Sequence, residues 1–213
     1  MTPAARPPLS RDRILDAALT LIDDDGLAAL SMRRLGEALG VEAMSLYHHV
    51  ASKAALLDGV HERILTRLAP PPADTRDWQA YVRHQARSLH ATLCAHPRAI
   101  GLFAARPAAT AASIARLDAY LTVLRAAGFP PLDALMIVQI VAAFVVGHAQ
   151  WVAGAGAADE QPASPPVPPA LTAVHEVARA VHAYRPDREL ELGLDALLTG
   201  FADRLPRKRR RRS

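Results

Sequence analysis

The side chains with the most suggestive chemistry lie close together between positions 31 and 53. This segment reads SMRRLGEALGVEAMSLYHHVASK, and its second half carries Ser45, Tyr47, His48 and His49 among few apolar residues. Hydroxyl, phenol and imidazole groups on a short exposed helix suit the edges of DNA bases and the phosphate backbone. An ordinary pair of antiparallel helices with a polar outer face is the alternative interpretation of the same residues.

The apolar spacing predicts that this segment folds as a helix, a tight turn and a second helix. Leu35, Leu39 and Leu46 are spaced to bury one face of each helix. Gly36 stands where two helices could come into close contact. Gly40 follows the last periodic residue of the first helix, where a residue in the left-handed conformation ends a helix at low cost.

Two further helices are predicted to flank this segment. Serines stand where three of the helices need an N-cap: Ser10, Ser31 and Ser52. The first helix is expected to end at the acidic run before Gly26. The helix after Ser52 is expected to continue to Ala69, where the prolines at 70–72 break it and provide a domain boundary.

The rest of the chain also has helical spacing, without an internal repeat. The predicted helices span about 78–95, 98–105, 109–127, 131–152, 171–184 and 188–204. The fourth of them is apolar all round, so it must be buried on all sides, inside its own domain or against a partner. The composition of residues 154–170 predicts a flexible loop. These patterns together predict an all-α fold.

The positive net charge of +4 is concentrated at one end of the chain. Six of the 25 basic residues lie in the tail 207–212, and without them the net charge is −2. Residues 1–68 contain eight basic and nine acidic side chains. A surface that binds nucleic acid must therefore be local here. The tail could attract DNA through counterion release, or it could be a solvated terminal run.

Several functional classes are not expected from these residues. The chain has no nucleophile elbow, HExxH motif, glycine-rich phosphate loop or Cys/His metal spacing, and its single cysteine is Cys94, so an enzyme is not expected. Gln139, His148 and Gln150 interrupt the longest apolar run, and the N-terminus lacks an apolar signal core. A soluble cytoplasmic protein with no membrane segment is therefore expected.

The segment GVEAMSLYHHVASKAALLDGV at 40–60 resembles the tetracycline-repressor branch of the TetR family of bacterial repressors. The resemblance is specific over about 10–68 and looser beyond, where it includes Trp78 and the Gly128-Phe129 pair. It implies an N-terminal three-helix helix-turn-helix DNA-binding domain and a larger C-terminal helical domain for ligand binding and dimerisation. The expected bounds are 1–69, with a disordered start at 1–9, then 74–206 and a basic tail at 207–213.

The resemblance implies a set of DNA-contacting residues. Arg33 would be the principal base reader, because its guanidinium can bond a guanine edge through two hydrogen bonds; a solvated helix charge is the alternative. Ser31 and Lys53 lie at helix N-termini, where phosphate is favoured. His49 would contact phosphate or a thymine methyl group, unless it packs in the core. The full set is Ser31, Met32, Arg33, Ala43, Met44, Ser45, Tyr47, His48, His49 and Lys53.

The resemblance also implies a homodimer and a ligand pocket. Segments 132–153 and 188–204 would pair with their copies in a four-helix bundle, and the double-stranded operator would be pseudo-palindromic. The pocket could be lined by Gln85, Leu89, Leu102, Phe103, Gln139, Phe144, His148 and Trp151, although each could also be plain core.

The expected effector is small and apolar, and no cofactor or metal is expected. A magnesium-tetracycline site would need a histidine at Leu102 and polar groups near Ala69 and Leu89, so the effector is not expected to be tetracycline. The alternative function is a DNA-binding regulator without a small-molecule effector, controlled by a protein partner.

Overall fold

The regular elements of the computed structural model are all helical over the residues it describes, which are 8–72, 77–105, 110–156 and 166–205. The α-helices in these ranges are α1 (Arg11–Asp25), α2 (Met32–Leu39), α3 (Ala43–Leu46), α4 (Lys53–Leu65), α5 (Trp78–Ala95), α6 (Gly101–Ala105), α7 (Ala111–Ala127), α8 (Pro131–Gly156), α9 (Thr172–Ala180) and α10 (Pro186–Ala202). Short 3₁₀ turns occupy Leu27–Ala29, Pro97–Ala99 and Val181–Ala183. The predicted all-α fold class is confirmed.

The predicted serine caps are confirmed. Ser10, Ser31 and Ser52 each accept a hydrogen bond from the backbone N–H three residues further along, at 3.3, 3.2 and 3.0 Å. Helix α5 begins and ends at the predicted residues. Helix α4 ends at Leu65, before the predicted Ala69, and α8 continues to Gly156. The basic tail 207–213, the start 1–7 and most of the predicted loop 154–170 lie outside the described residues.

Helices α1 to α4 pack around one hydrophobic cluster. Its fully buried members include Ile14, Leu19, Leu35, Leu46, Leu56 and Ile64. The turn between α2 and α3 is tight, since a Cβ atom on Gly36 would lie 2.8 Å from the Val41 carbonyl oxygen. Gly40 adopts the left-handed conformation, with φ 67° and ψ 38°, and ends α2. Glycine is therefore required at both positions to bring α3 against α2.

A second hydrophobic cluster lies among α5, α7, α8 and α10. Phe129 is fully buried in it, and its ring meets that of Trp78 edge-on at a centroid distance of 4.9 Å. Within one chain, α8 is buried on only part of its circumference, because several large apolar side chains on it remain exposed: Leu132, Met136, Ile140 and Trp151. Burial of α8 on all sides therefore requires something beyond the single chain.

The apolar character of α8 also bears on membrane insertion. By length and composition alone, Pro131–Ala155 could cross a bilayer, with a mean hydropathy of 1.9. One third of its most apolar window is nevertheless buried in this chain, where α8 packs against α5, α7 and α10. A core helix of a soluble protein has the same properties.

Candidate functional site

Helix α3 and the turn after it present the polar residues that the sequence singled out. Leu46 and Val50 are buried and anchor the segment in the first cluster. Met44 is 70 % exposed, and Tyr47, His48 and His49 are also exposed. His49 is therefore not a core residue. Hydroxyl, imidazole and thioether groups lie together on one outer surface.

Arg33 lies on α2, which packs against α3. Its side chain is 83 % exposed, and its nearest acid is Glu37, 3.8 Å away and also exposed. Such a pair contributes little to stability, so the guanidinium is available to a ligand. Met32, by contrast, is only 9 % exposed and packs in the first cluster. Its side chain supports α2 from within, because the apolar face of α2 points inward at that position.

Two helix N-termini flank this surface. Ser31 is the N-cap of α2, and Lys53 is the exposed first residue of α4, after its cap Ser52. Unpaired backbone N–H groups at a helix N-terminus favour anions, and a cation in the first turn adds to that preference. Ala43 and Ser45, on α3, are partly buried. The whole surface suits a phosphate backbone with base edges between the phosphates.

A network of polar side chains joins the two hydrophobic clusters. His96 Nδ1 lies 2.8 Å from a carboxylate oxygen of Asp23, and His96 Nε2 lies 2.9 Å from the guanidinium of Arg67. Arg98 donates to the backbone carbonyls of Asp23 and Asp24 at the end of α1. No local sequence motif marks these residues, because the paired positions lie far apart in the chain.

Several polar side chains meet around Gln85 of α5, which is 7 % exposed. Its amide nitrogen donates to the Tyr81 hydroxyl at 3.1 Å, and its amide oxygen accepts from Arg116 at 3.0 Å. Arg116 also donates to the Leu65 carbonyl at the end of α4, at 3.4 Å. Burial lowers the pKa of Arg116. Arg116 was not predicted as a site residue.

A buried histidine pair lies between α5 and α8. His90 Nε2 and His148 Nδ1 are 2.9 Å apart. Burial lowers the pKa of His90, the neighbouring His148 lowers it further, and Asp187 opposes both effects. Burial also raises the pKa of the Cys94 thiol, whose sulfur lies 3.6 Å from His90 Nε2. Burial therefore favours the neutral forms of His90 and Cys94. The other ring nitrogen of His148, Nε2, lies 3.3 Å from a carboxylate oxygen of Glu189.

The predicted pocket residues do not all converge. Gln85, Leu89, Phe144 and His148 are in or against the second cluster, whereas Leu102 lies in the first cluster and Phe103 packs against both. The rings of Phe144 and His148 have centroids 6.0 Å apart. Two predicted residues of α8 are exposed on its outer side: Gln139, and Trp151 at 64 % exposure. Within one chain, these two do not share a pocket with the others.

No group of three or more His, Cys, Asp or Glu side chains that could hold a metal ion occurs in the part of the chain that the structure describes.

Comparison with known proteins gives a consistent result over nearly the whole chain. Residues 71–205 match the family model described as "Tetracyclin repressor-like, C-terminal domain", and residues 14–60 match "Bacterial regulatory proteins, tetR family". The chain is 30% identical over 205 residues to the class E tetracycline repressor protein of Escherichia coli, covering 94% of each.

Solved structures show the same similarity. One is the TetR family protein ActR of Streptomyces coelicolor in complex with actinorhodin, at 27% identity and a TM-score of 0.76, over 92% of this chain and 98% of ActR. Another is TetR(class A) in complex with 5a,6-anhydrotetracycline and magnesium, at 28% identity and a TM-score of 0.70, over 92% and 99% of the two chains. Both of these relatives were solved with a small molecule bound.

Proposed function

Because the chain belongs to the TetR family of bacterial transcription regulators, we propose that it is a cytoplasmic homodimeric repressor. In this proposal it binds a pseudo-palindromic operator in double-stranded DNA and is released from it by a small-molecule effector. Residues 1–69 form the DNA-binding domain and residues 74–206 the effector-binding and dimerisation domain.

The main support for DNA binding is that Arg33 and Met44 are exposed on adjoining helices, while Leu46 of the same segment is buried. Leu46 has no exposed surface, so α3 is held firmly while its outer residues stay accessible. Arg33 reads a base edge in the major groove. Ser31 and Lys53 contact phosphate and fix the register of the domain on the duplex. The remaining predicted contacts, Ala43, Ser45, Tyr47, His48 and His49, belong to the same surface.

Exposed residues at helical spacing along α8 and α10 support the dimer. On α8 the exposed stripe consists of Leu132, Met136, Ile140, Ala143, Gly147 and Trp151. On α10 it consists of Leu192, Ala196 and Gly200. A Cβ atom on Gly147 or Gly200 would meet nothing within 4 Å, which leaves room for a helix of the partner. Paired with its copy, this face would bury the apolar surface that one chain leaves exposed.

The effector would bind in the C-terminal domain, because the two structural relatives described above bind small molecules and this domain matches theirs. Gln85, Leu89, Phe144 and His148 provide an apolar interior with a few polar groups, which is the usual composition of a ligand site. The effector has a predominantly apolar body. Leu102 stands where a magnesium-tetracycline site would need a histidine, so the effector is a different molecule.

A DNA-release titration tests this function. Operator duplexes are first selected from a random pool with the purified dimer, and their fluorescence anisotropy is then followed as aromatic compounds are added. The expected result is tight binding to one selected sequence and a return to the anisotropy of free DNA with at least one compound. If the protein binds DNA but no compound that binds the protein releases it, control by a protein partner becomes the better interpretation.

A further inference from the structure

Arg116 is a partly buried cation that lacks a carboxylate partner among the described residues. The acceptors it does contact, the Leu65 carbonyl and the Gln85 amide oxygen, are both neutral. Three other arginines that bridge helices in this protein are paired with acids: Arg63 with Asp16, and Arg83 and Arg87 with Glu191. Arg116 differs from these three, although Arg98 also donates only to carbonyl groups among its described contacts.

The buried part of Arg116 loses hydration without gaining an opposite charge. Burying a charge away from water is unfavourable unless an opposite charge compensates for it. Neutral carbonyl groups compensate only in part, because they accept hydrogen bonds but supply no opposite charge. The guanidinium has five N–H donors, of which the described contacts use two. Three donors therefore remain for a further acceptor.

The surroundings of Arg116 fit an aromatic acid. The Tyr81 hydroxyl accepts a hydrogen bond from Gln85, which leaves its own proton available to an acceptor. The rings of Tyr81 and Tyr120 meet edge-on at a centroid distance of 5.3 Å and form an apolar wall beside these donors. Burial raises the pKa of Tyr120, so its phenol contributes no negative charge at neutral pH. The described groups of this cluster thus have one positive charge and no negative charge.

We infer that Arg116, Gln85 and Tyr81 bind an acidic group of the effector, a carboxylate or an acidic phenol or enol, beside its apolar body. This inference rests on the proposed function and names the chemical class of its effector. The acidic oxygen accepts from the free N–H groups of Arg116 and from the Tyr81 hydroxyl. The Gln85 amide holds both donors in place.

The same residue links the site to the DNA-binding domain. Leu65 is the last residue of α4, and its carbonyl accepts from Arg116 at 3.4 Å, the longer of the two Arg116 contacts. An anion competes for the guanidinium more strongly than a neutral carbonyl does. Binding of the acid therefore weakens the hold of Arg116 on the end of α4, and this change passes to the helices that contact DNA.

The test compares two ligands of the same shape, of which only one carries a negative charge. Binding of naphthoate and of its neutral amide, naphthamide, to the full-length dimer is measured by calorimetry at neutral pH. We expect the acid to bind at least about tenfold more tightly than the amide, as a charge-assisted hydrogen bond implies. Equal affinities would overturn the inference, as would absence of acid binding up to about 1 mM, where a fragment of this size should bind.

Variants test whether Arg116 causes the preference for the acid over the amide. Arg116→Gln should abolish the difference between acid and amide, Arg116→Lys should keep part of it, and Arg179→Gln, on the exposed helix α9, should leave it unchanged. A preference for the acid that survives in Arg116→Gln would contradict the assignment. The comparison of the two ligands in the unmodified protein stands even if a variant fails to fold.

Failure of the proposed function can be told apart from failure of the anion site. Calorimetry detects the anion site without DNA, whereas release is measured on the DNA itself. If naphthoate binds through Arg116 and operator DNA stays bound at saturation, the site is correct and its assignment to DNA release is wrong.

Discussion

His96 and Asp23 form a hydrogen bond that joins the two hydrophobic clusters, with 2.8 Å between Nδ1 and Oδ2. The other ring nitrogen of His96 lies 2.9 Å from the Arg67 guanidinium. A guanidinium can only donate, so Nε2 accepts from Arg67 and the N–H of Nδ1 donates to Asp23. One imidazole thereby ties together the ends of α1, α4 and α5.

Removal of this bond should destabilise the fold. We expect Asp23→Ala to lower the free energy of unfolding by about 1–3 kcal/mol, because it leaves the N–H of buried His96 without its acceptor. The measurement is urea denaturation followed by circular dichroism. Asp24→Ala is the matched control, since Asp24 is exposed, and its cost should stay within about 0.5 kcal/mol. Equal losses in the two variants would show that the contact contributes nothing.

Arg33→Ala should reduce specific DNA binding far more than nonspecific binding. Loss of a bidentate contact to a base costs about 1–3 kcal/mol, which corresponds to roughly 5-fold to 150-fold in affinity for the operator. Mobility shifts with the operator and with a scrambled duplex measure both. Arg179→Ala, which removes an exposed charge on α9, serves as the control. If Arg33→Ala weakens binding to both duplexes equally, Arg33 is not a base reader.

Lys53→Ala should weaken binding to all duplexes alike. Loss of one phosphate contact makes the slope of log affinity against log salt concentration shallower by about one unit. Titrations at several salt concentrations give that slope. Lys53→Arg keeps the charge at the N-terminus of α4 and should keep the slope. An unchanged slope in Lys53→Ala would remove Lys53 from the set of phosphate contacts.

A charge on the exposed stripe of α8 should separate the subunits. Ile140→Asp places an unpaired carboxylate in the proposed interface, where desolvation opposes association, so sedimentation velocity should show monomers. Ile114→Asp is the control, because Ile114 is an exposed isoleucine of α7. Val141 would be a poor choice, since it is 4 % exposed and its replacement would disrupt the chain's own core. A stable Ile140→Asp dimer would place the interface elsewhere.

The buried His90 should make stability depend on pH. Burial and His148 lower the pKa of His90, so below the ordinary value of 6.5 the unfolded chain binds a proton that the folded protein resists. The free energy of unfolding should therefore fall as the pH drops below that value, by at most about 1.4 kcal/mol per pH unit for this residue.

Urea denaturation at a series of pH values from about 8 to about 5 measures this dependence. His90→Gln should flatten it, while His182→Gln, an exposed histidine after α9, should not. An identical pH dependence in His90→Gln and the unmodified protein would rule out His90 as its source.

The helices and their caps could be predicted because their signals are local. Ser10, Ser31 and Ser52 bond to a backbone group only three residues away, so the sequence alone located them correctly. Gly40 was predicted for the same reason, since the left-handed conformation is a property of one residue. The position of the Met32 side chain could not be predicted in this way. Met32 is among the residues expected to contact DNA, but it packs in the first hydrophobic cluster.

The orientation of α8 and the contacts between distant residues could not be predicted in this way. A helix that is apolar all round has no polar face to show its orientation, so the sequence could not predict that a single chain leaves Gln139 and Trp151 exposed. Arg116 and His96 gain their significance from residues 31 and 73 positions away in the chain. No pattern within a helix marks such pairs.

A twofold dimer that reads DNA through Arg33 and the exposed residues of α3 should select a symmetric operator. Selection of bound duplexes from a random pool, followed by sequencing, measures this. We expect an inverted repeat whose half-sites lie about one helical turn, or a multiple of it, apart, and its enrichment should be lost with Arg33→Ala. An absence of enriched sequence, or a single asymmetric site that Arg33→Ala binds equally well, would contradict it.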